Sequence, residues 1–359
     1  MYIKVNEAVK NIDALILPMA SVLYGLEGYA CKPANAHEGG RNVVYVCEKG
    51  GEAAAVLRIA FLQDRTREDF LGELEFVRYL FEHGGSVPDV VGSRQGNLLE
   101  EVAHDHHTFF ICLFQKAAGK TLAENQYRYR EGAPMTEYFF NCGKVLGKLH
   151  QLSKGYTPSR RRYGFHDKFN ADSIEKRIPG SLPLLKEKML DLLKALEELD
   201  KNREAYGIVH FDFNDGNYAI DFATGQITVY DFDNCCSCWY MFDVASLWTN
   251  GTGWIQFEPD AGKRRAFMDA YFKTALEGYK SETGLGDALL EKLHLFIQVN
   301  LMESIMDAFE VMRNNGEAPE CNEALSYRIK CLEDDIPYLG FFHDIYACDE
   351  PFEHDKRTI

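Results

Sequence analysis

The sequence predicts an α+β fold with two lobes, a small amino-terminal lobe rich in strands and a larger, mainly helical carboxy-terminal lobe. Strand-like runs alternate with glycine-containing turns in the first third of the chain. Through most of the remainder, apolar residues recur at helical spacing. A chain of 359 residues is long enough to bury two cores. We expect the lobes to span residues 1–116 and 117–359.

Composition and charge exclude several classes of protein. Hydrophobic residues make up 46% of the chain and charged residues 26%, as in ordinary globular proteins. No run approaches the roughly 18 apolar residues of a membrane-spanning helix, and the first residues lack a secretory signal pattern. The net charge of −16 argues against nucleic-acid binding, which depends on Lys and Arg. We therefore expect no membrane and no nucleic-acid partner, and the composition indicates no particular oligomeric state.

Ten cysteines occur without regular spacing. In a chain of this length without an export signal, this pattern is typical of reduced thiols in a cytoplasmic protein. The cluster of Cys235, Cys236 and Cys238 lacks a second pair of ligands at zinc-site spacing. We interpret these three residues as small apolar side chains.

The amino-terminal lobe begins with two predicted strands, residues 41–47 and 53–59, joined by a turn at residues 49–51. Gly39 and Gly40 precede the first strand. Because glycines let backbone amides approach a phosphate closely, this pair is a candidate phosphate-binding loop. A Gly-Gly pair is also a common hairpin turn, and this alternative stays open.

A predicted helix at residues 66–83 carries an apolar stripe that faces the core. Glu73 lies on that stripe, and a buried carboxylate requires a partner. Arg58 in the second strand is the expected partner, because Arg keeps its charge when buried and binds carboxylate or phosphate through two donors. The alternative for Arg58 is a strand-edge position that faces solvent.

The rest of the chain is predicted to be mostly helical, with amphipathic helices at residues 138–152, 182–202, 263–280 and 289–314. Before them, residues 108–114 form a continuous apolar run that is typical of a buried strand. The sequence contains no internal repeat and no low-complexity tract.

The most informative segment of the chain is residues 209–233. Five of its polar residues carry the argument: His210, Asp212, Asn217, Asp231 and Asp233. Kinase-type phosphoryl transfer needs a carboxylate to take the proton from the attacking hydroxyl. It also needs a carboxylate and an amide to hold magnesium. This segment supplies all three groups within roughly twenty residues, in the spacing H-x-D-x-x-x-x-N followed by an acid.

The same segment predicts a hairpin whose turn lies at residues 223–225. Folding this hairpin would bring Asn217 beside Asp231, with a register error of about one residue. Asp212 would lie in the loop that leads into the hairpin. Oxygen ligands of this kind suit magnesium. As an alternative, the Asp-Gly-Asn sequence of this loop is a good turn by itself, without any catalytic role.

Three motifs in this region resemble those of the aminoglycoside phosphotransferase and choline kinase superfamily. This superfamily is related to the protein kinases, and its members phosphorylate small molecules. The three motifs read HFDFNDGN, YDFDN and FDVASLW. The family carries H-G-D-x-x-x-x-N, then a strand ending in I-D-F or I-D-W, then D-x-A at the start of a helix. The resemblance implies a bilobal, protein-kinase-like fold that uses ATP and Mg²⁺, with GTP as the alternative nucleotide.

The resemblance also implies a role for each motif residue. Asp212 matches the catalytic base of the family, and Asn217 and Asp231 match its magnesium ligands. His210 and Asp243 match residues that support the catalytic loop structurally.

Two positions of the catalytic loop depart from the family pattern. Phe211 stands where the family usually has Gly, and Asn214 stands where many members have His. We expect Phe211 to alter the packing under the loop rather than the chemistry.

The nucleotide contacts follow from the same resemblance. Arg58 would contact the phosphates, and Glu73 would hold it in the strand–helix ion pair of the family. The loop with Gly39 and Gly40 matches the phosphate loop in position. The apolar run at residues 108–114 matches the last strand of the small lobe, which leads into the hinge that holds adenine through backbone groups. The hinge candidates are Phe114, Gln115 and Lys116.

The acceptor is the least determined part of the site. In the family, its pocket lies between the catalytic loop and the carboxy-terminal helices. The candidates for this pocket are three acidic residues and one aromatic residue: Asp233, Glu303, Asp307 and Trp239. Such a set could hold an amine or a quaternary ammonium group. A solvated acidic face with core aromatics is the alternative interpretation.

These motifs predict an ATP- and magnesium-dependent phosphotransferase that acts on a hydroxyl of a small molecule. Aminoglycosides, amino alcohols, sugars and homoserine-like compounds are the candidate acceptors. One alternative is a Ser/Thr protein kinase of the same superfamily. The other is a non-catalytic, nucleotide-binding relative.

Overall fold

The computed structural model describes residues 12–34, 41–61, 65–104, 107–256 and 258–336. The chain divides into two compact units. The first contains Met1–Ala118, Tyr156–Arg162 and Thr228–Asp233, and the second contains Gly119–Gly155, Tyr163–Ile227 and Asn234–Ile359. The main segment of the first unit ends at Ala118, and two short later segments belong to the same unit.

A six-stranded antiparallel sheet forms the centre of the first unit. Its strands are β1 (Ala30–Pro33), β2 (Asn42–Lys49), β3 (Glu52–Ala60), β4 (Val90–Val91), β5 (Glu100–His104) and β6 (His107–Gln115). The strand order is β1-β2-β3-β6-β4, and β5 also pairs with β6. The three predicted strands of the amino-terminal lobe correspond to β2, β3 and β6. Buried residues alternate with more exposed ones along β2, whereas the second half of β3 and the middle of β6 are mostly buried.

Two helices accompany this sheet where the sequence predicted one. Helix α2 (Arg67–Glu82) is the predicted helix, and Thr66 and Asp69 form a capping box at its start. Helix α1 (Leu17–Tyr24) follows a π-helical turn at Ile12–Ile16. The sequence did not reveal α1, because it is short and apolar on most faces and has a proline in its first turn.

The second unit is mainly helical, which confirms the predicted α+β class. Its helices are α3 (Met135–Gly155), α4 (Phe165–Lys168), α5 (Ala171–Arg177), α6 (Pro183–Glu197), α7 (Tyr240–Asn250), α8 (Thr252–Ile255), α9 (Ala261–Glu282), α10 (Asp287–Leu290), α11 (Leu293–Asn314) and α12 (Glu323–Glu333). A short 3₁₀ turn lies at Ala123–Asn125, and a second one at Phe232–Asn234 begins in the first unit.

Four short strands lie on either side of residues 210–217, the loop with the H-x-D-x-x-x-x-N motif, which we call the catalytic loop. Strand β7 (Tyr206–Val209) pairs with β10 (Cys236–Trp239), and β8 (Tyr218–Ile220) and β9 (Ile227–Val229) form the predicted hairpin. The residues of the H-x-D-x-x-x-x-N motif therefore lie in the connection between β7 and β8.

Helices α3 and α9 lie so close together that only glycine fits at their contact. A Cβ atom on Gly143 would lie 1.7 Å from the carbonyl oxygen of Ala275, and one on Gly278 would lie 2.0 Å from that of Phe140. The two backbones therefore touch directly, which fixes the position of α3 within the second unit.

Membrane insertion through a helix finds no support in the described residues. None of the helices observed there is both long enough and apolar enough to cross a bilayer.

Candidate active site

A buried aspartate fixes the catalytic loop from the start of α7. The Oδ2 atom of Asp243 accepts the backbone N–H of His210 at 2.7 Å, and its Oδ1 atom accepts that of Phe211 at 2.9 Å. Nε2 of His150 lies 3.1 Å from the same carboxylate, and its Nδ1 lies 2.8 Å from the hydroxyl of Tyr279. Since a carboxylate only accepts, Nε2 is the donor in the contact with Asp243. Asp243 therefore holds two consecutive backbone N–H groups of this loop.

The backbone of the loop turns at Phe211 in a conformation that favours glycine. Its φ angle is 72°, in the left-handed region that is costly for a large side chain. The Phe211 ring stacks on Phe242 with a centroid distance of 4.1 Å and an interplanar angle of 6°. It also stacks on Phe169 at 5.9 Å. The aromatic packing compensates for the backbone strain at the position where the family has Gly.

Asp212 is half-buried at the centre of this loop. Its carboxylate accepts a hydrogen bond from Nδ2 of Asn214 at 2.8 Å, and its backbone carbonyl accepts one from Nδ2 of Asn217 at 2.8 Å. The second bond orients the Asn217 amide so that Oδ1, the atom suited to a magnesium ion, points away from the loop carbonyl. Asn214 therefore supplies a donor to the Asp212 carboxylate at the position where many family members have His.

The predicted turn of the hairpin is present. The N–H of Asp221 donates to the carbonyl of Gln226 at 2.9 Å, and Gly225 adopts the positive φ expected for it, 78°. Beyond the hairpin, Asp231 also has a left-handed backbone, with a φ of 63°.

Asn217 of the second unit and Asp231 of the first carry side-chain oxygen atoms of the kind that magnesium binds. Among the described residues, no three His, Cys, Asp or Glu side chains converge on one point that could hold a metal ion. Magnesium binds through one or two carboxylates and keeps water or substrate phosphates as its other ligands.

The expected ion pair of the first unit is present. Arg58 on β3 makes two parallel hydrogen bonds to Glu73 on α2, at 2.7 and 2.8 Å, and both side chains are buried. The Arg58 guanidinium also lies over the Phe114 ring, 5.3 Å from its centroid. The solvent-facing alternative for Arg58 is therefore wrong.

The hinge candidates use their backbone donors within the first unit. The N–H of Gln115 donates to the carbonyl of Asp89 at 2.9 Å, and that of Lys116 donates to Ala54 at 3.2 Å. Gly39 and Gly40 lie outside the described residues.

Asp233 has a different environment from the one the sequence predicted. It is 6% exposed, and its carboxylate lies against the guanidinium groups of Arg65 and Arg58 in the first unit. Burial alone would raise the pKa of this carboxyl, but the neighbouring arginines hold it well below its usual range. Such an enclosed carboxylate is a poor contact for an acceptor.

The other three acceptor candidates lie in the second unit. Trp239 is 1% exposed and donates from Nε1 to the carbonyl of Asp200 at 3.0 Å, so it is a core residue. On α11, Glu303 is half-buried and Asp307 is exposed.

A cavity of about 210 Å³ in the second unit has none of these candidates in its wall. Its lining residues are Tyr138, Cys142, Asp215, Tyr218, Thr249, Asn250, Thr252, Gly253, Trp254 and Tyr271. The side chain of Asn250 donates to the carbonyl of Phe213 at 3.1 Å, which joins the cavity wall to the catalytic loop. The hydroxyls of Tyr138 and Tyr218 lie 2.7 Å apart.

Asp215 is the charged residue of this cavity wall, whereas its Asp-Gly-Asn sequence predicts only a turn. The Asp215 side chain is exposed, and desolvation by the protein around it raises the pKa of its carboxyl. The sequence shows that Asp215 lies close to the motif, three residues after Asp212. The convergence with Trp254 depends on tertiary packing and could not be read from spacing.

Comparison with known proteins confirms the resemblance. The model of the phosphotransferase enzyme family matches residues 34–281. The chain is 26% identical over 304 residues to an amicoumacin kinase of Bacillus subtilis (strain 168), covering 84% of this chain and 87% of that protein.

Solved structures show the same fold. An amicoumacin kinase in complex with AMP-PNP, Ca²⁺ and Ami has a TM-score of 0.75 and 24% identity, covering 91% of this chain and 96% of that one. A microcompartment-associated aminopropanol kinase has a TM-score of 0.67 and 20% identity, covering 93% and 98% of the two chains. The family match spans more than half of the sequence and includes the motifs around Asp212, Asp231 and Asp243. The chain therefore belongs to the phosphotransferase enzyme family.

Proposed function

We propose that this small-molecule phosphotransferase transfers the γ-phosphoryl group of ATP to a hydroxyl of an amine-bearing molecule. The observation that carries the proposal is the arrangement of the second unit. There, the braced catalytic loop with Asp212 adjoins a cavity whose wall contains Asp215 and four aromatic rings. The reaction class comes from the family, and the acceptor class comes from this cavity.

Asp212 would act as the base that orients the hydroxyl of the acceptor and takes its proton. Its carboxylate is held by Asn214 and stays partly accessible, as this role requires. Asn217 and Asp231 would hold Mg²⁺, which neutralises charge on the phosphates when it is bound. His210 and Asp243 would keep the loop in place through its backbone.

Residues of the first unit would hold the nucleotide. Arg58 would contact the phosphates, and Glu73 would position it through the observed ion pair. Further contacts are proposed from the backbone groups of five residues: Gly39, Gly40, Phe114, Gln115 and Lys116. A cytoplasmic location would supply ATP and keep the cysteines reduced.

The chemistry of the cavity wall favours an acceptor that carries an ammonium group. A carboxylate beside aromatic faces attracts a cation through charge and through the ring quadrupoles. At about 210 Å³, the cavity is smaller than a typical drug-sized site, so it would take one amine-bearing part of a ligand. The aminopropanol named for one structural relative is an amino alcohol, which agrees with this chemistry.

The test is ADP release from ATP and Mg²⁺ across aminoglycosides, amino alcohols, sugars and homoserine. Each amine should be paired with an analogue in which a hydroxyl or hydrogen replaces the amino group. We expect turnover with at least one amine and a large loss with its neutral analogue. Equal turnover of the paired compounds would overturn the acceptor class. Transfer of labelled phosphate to protein instead would favour the protein-kinase alternative.

A further inference from the structure

We infer that Asp233 is a positioning residue that ties Arg58 to the segment carrying Asp231. The inference rests on the proposed function, in which Arg58 contacts the phosphates and Asp231 holds the metal. All the contacts that support it lie within the first unit of the chain.

Both the side chain and the backbone of Asp233 are held by donors. Its carboxylate pairs with Arg65, lies 3.9 Å from Nη1 of Arg58, and accepts a hydrogen bond from Nδ2 of Asn42 at 3.2 Å. Its backbone carbonyl accepts from Arg65 and from Arg162, each at 2.5 Å. Contacts to both parts of one residue fix the course of the chain at this point, not only the position of a side chain.

Arg58 joins this carboxylate to a second one. Its guanidinium makes two hydrogen bonds to Glu73 on α2 and also faces Asp233. Arg58 and Glu73 are 4% and 0% exposed. Because an unpaired buried charge is strongly disfavoured, these three residues have few alternative arrangements. The position of Arg58 therefore depends on Asp233 as well as on Glu73.

The residues before Asp233 need such an anchor. Asp231 has a φ of 63°, which is disfavoured for a non-glycine residue and persists only where its surroundings impose it. The next ring, Phe232, packs edge-on against Phe76 of α2 at 6.1 Å. Asp233 follows with its arginine contacts. Two consecutive anchors thus hold the chain directly after the proposed metal ligand.

The decisive variant is Asp233→Asn, which keeps the shape of the side chain and removes its charge. We expect the KM for Mg·ATP to rise by about 10- to 100-fold, as for other residues that orient a metal site. The KM for the acceptor should stay unchanged. The exposed Asp191→Asn is the matched control and should change neither constant. A rise in the acceptor KM with an unchanged Mg·ATP KM would overturn the inference and restore Asp233 to the acceptor pocket.

A second measurement does not depend on activity. Thermal unfolding of Asp233→Asn, Arg65→Gln and the double variant forms a double-mutant cycle. We expect the double variant to lose clearly less stability than the sum of the single variants, and additive losses would contradict the link.

If Asp233→Asn does not fold, Arg65→Lys tests the same link. It should raise the KM for Mg·ATP and leave the acceptor KM unchanged, and the reverse pattern would contradict the inference. A chain without phosphotransfer would refute the proposed function but would leave the cycle as a test of the ion cluster.

Discussion

At the scale of single residues, the catalytic loop combines backbone strain with side-chain compensation. The left-handed backbone of Phe211 costs about 1–3 kcal/mol for a non-glycine residue. The ring is 7% exposed and stacks on Phe242, so burial and stacking outweigh that cost. The sequence showed the departure from the family glycine, but the compensating ring lies more than thirty residues away in the chain.

We predict that Phe211→Gly destabilises the protein even though glycine suits the backbone angle. The net loss should be about 2 kcal/mol, because deleting a buried Phe ring costs about 3–5 kcal/mol and relief of strain returns about 1–3 kcal/mol. Chemical denaturation of the purified variant measures this difference. A variant as stable as the wild type would show that the ring contributes no compensation. Phosphotransfer should persist, since the ring touches no proposed reacting group.

We predict that Asp215 contributes to the binding of the acceptor. Asp215→Asn should raise the KM for an amine-bearing acceptor by about 10- to 100-fold, since hydrogen bonds to charged groups contribute about 1.5–3 kcal/mol. The KM for Mg·ATP should not change. The exposed Asp172→Asn at the start of α5 is the control. An unchanged acceptor KM in Asp215→Asn would remove this residue from the proposed pocket.

At the scale of helices and strands, patterns that are local in the chain were the most predictable. Strands β2, β3 and β6, helix α2 and the β8–β9 hairpin follow from periodicity and turn residues. The partner of Glu73 was predictable as well, because a charge on an apolar stripe needs a counter-charge. Helix α1 and the cavity wall depend on tertiary packing, which sequence spacing does not encode.

The contact between α3 and α9 gives a prediction about stability. Gly143→Ala should destabilise the protein by about 1–3 kcal/mol or more, because the new methyl group would overlap the carbonyl of Ala275 and separate the helices. Gly180→Ala is the matched control, since a Cβ there meets no atom within 4 Å. Equal melting temperatures of the two variants would contradict the close contact of these helices.

At the scale of the whole molecule, the sequence predicted two lobes but not their full membership. The first unit includes residues 156–162 and 228–233, which come from the later part of the chain. Arg160 binds Glu75 at 2.8 Å, and the N–H of Val229 donates to Ser86 at 2.9 Å, so nonlocal contacts hold these segments there. For this reason, Asp233 was predictable as a polar residue of the motif but not as the centre of an arginine cluster.

The central claim is that Asp212 is the base of a phosphotransferase, and ADP release by Asp212→Asn tests it most directly. The folded variant should still bind Mg·ATP in a thermal-shift measurement. Its turnover should fall by about 100-fold or more, the range typical of losing a general base. The Asp172→Asn control should keep wild-type turnover. Turnover near the wild-type rate in purified, folded Asp212→Asn would contradict the account.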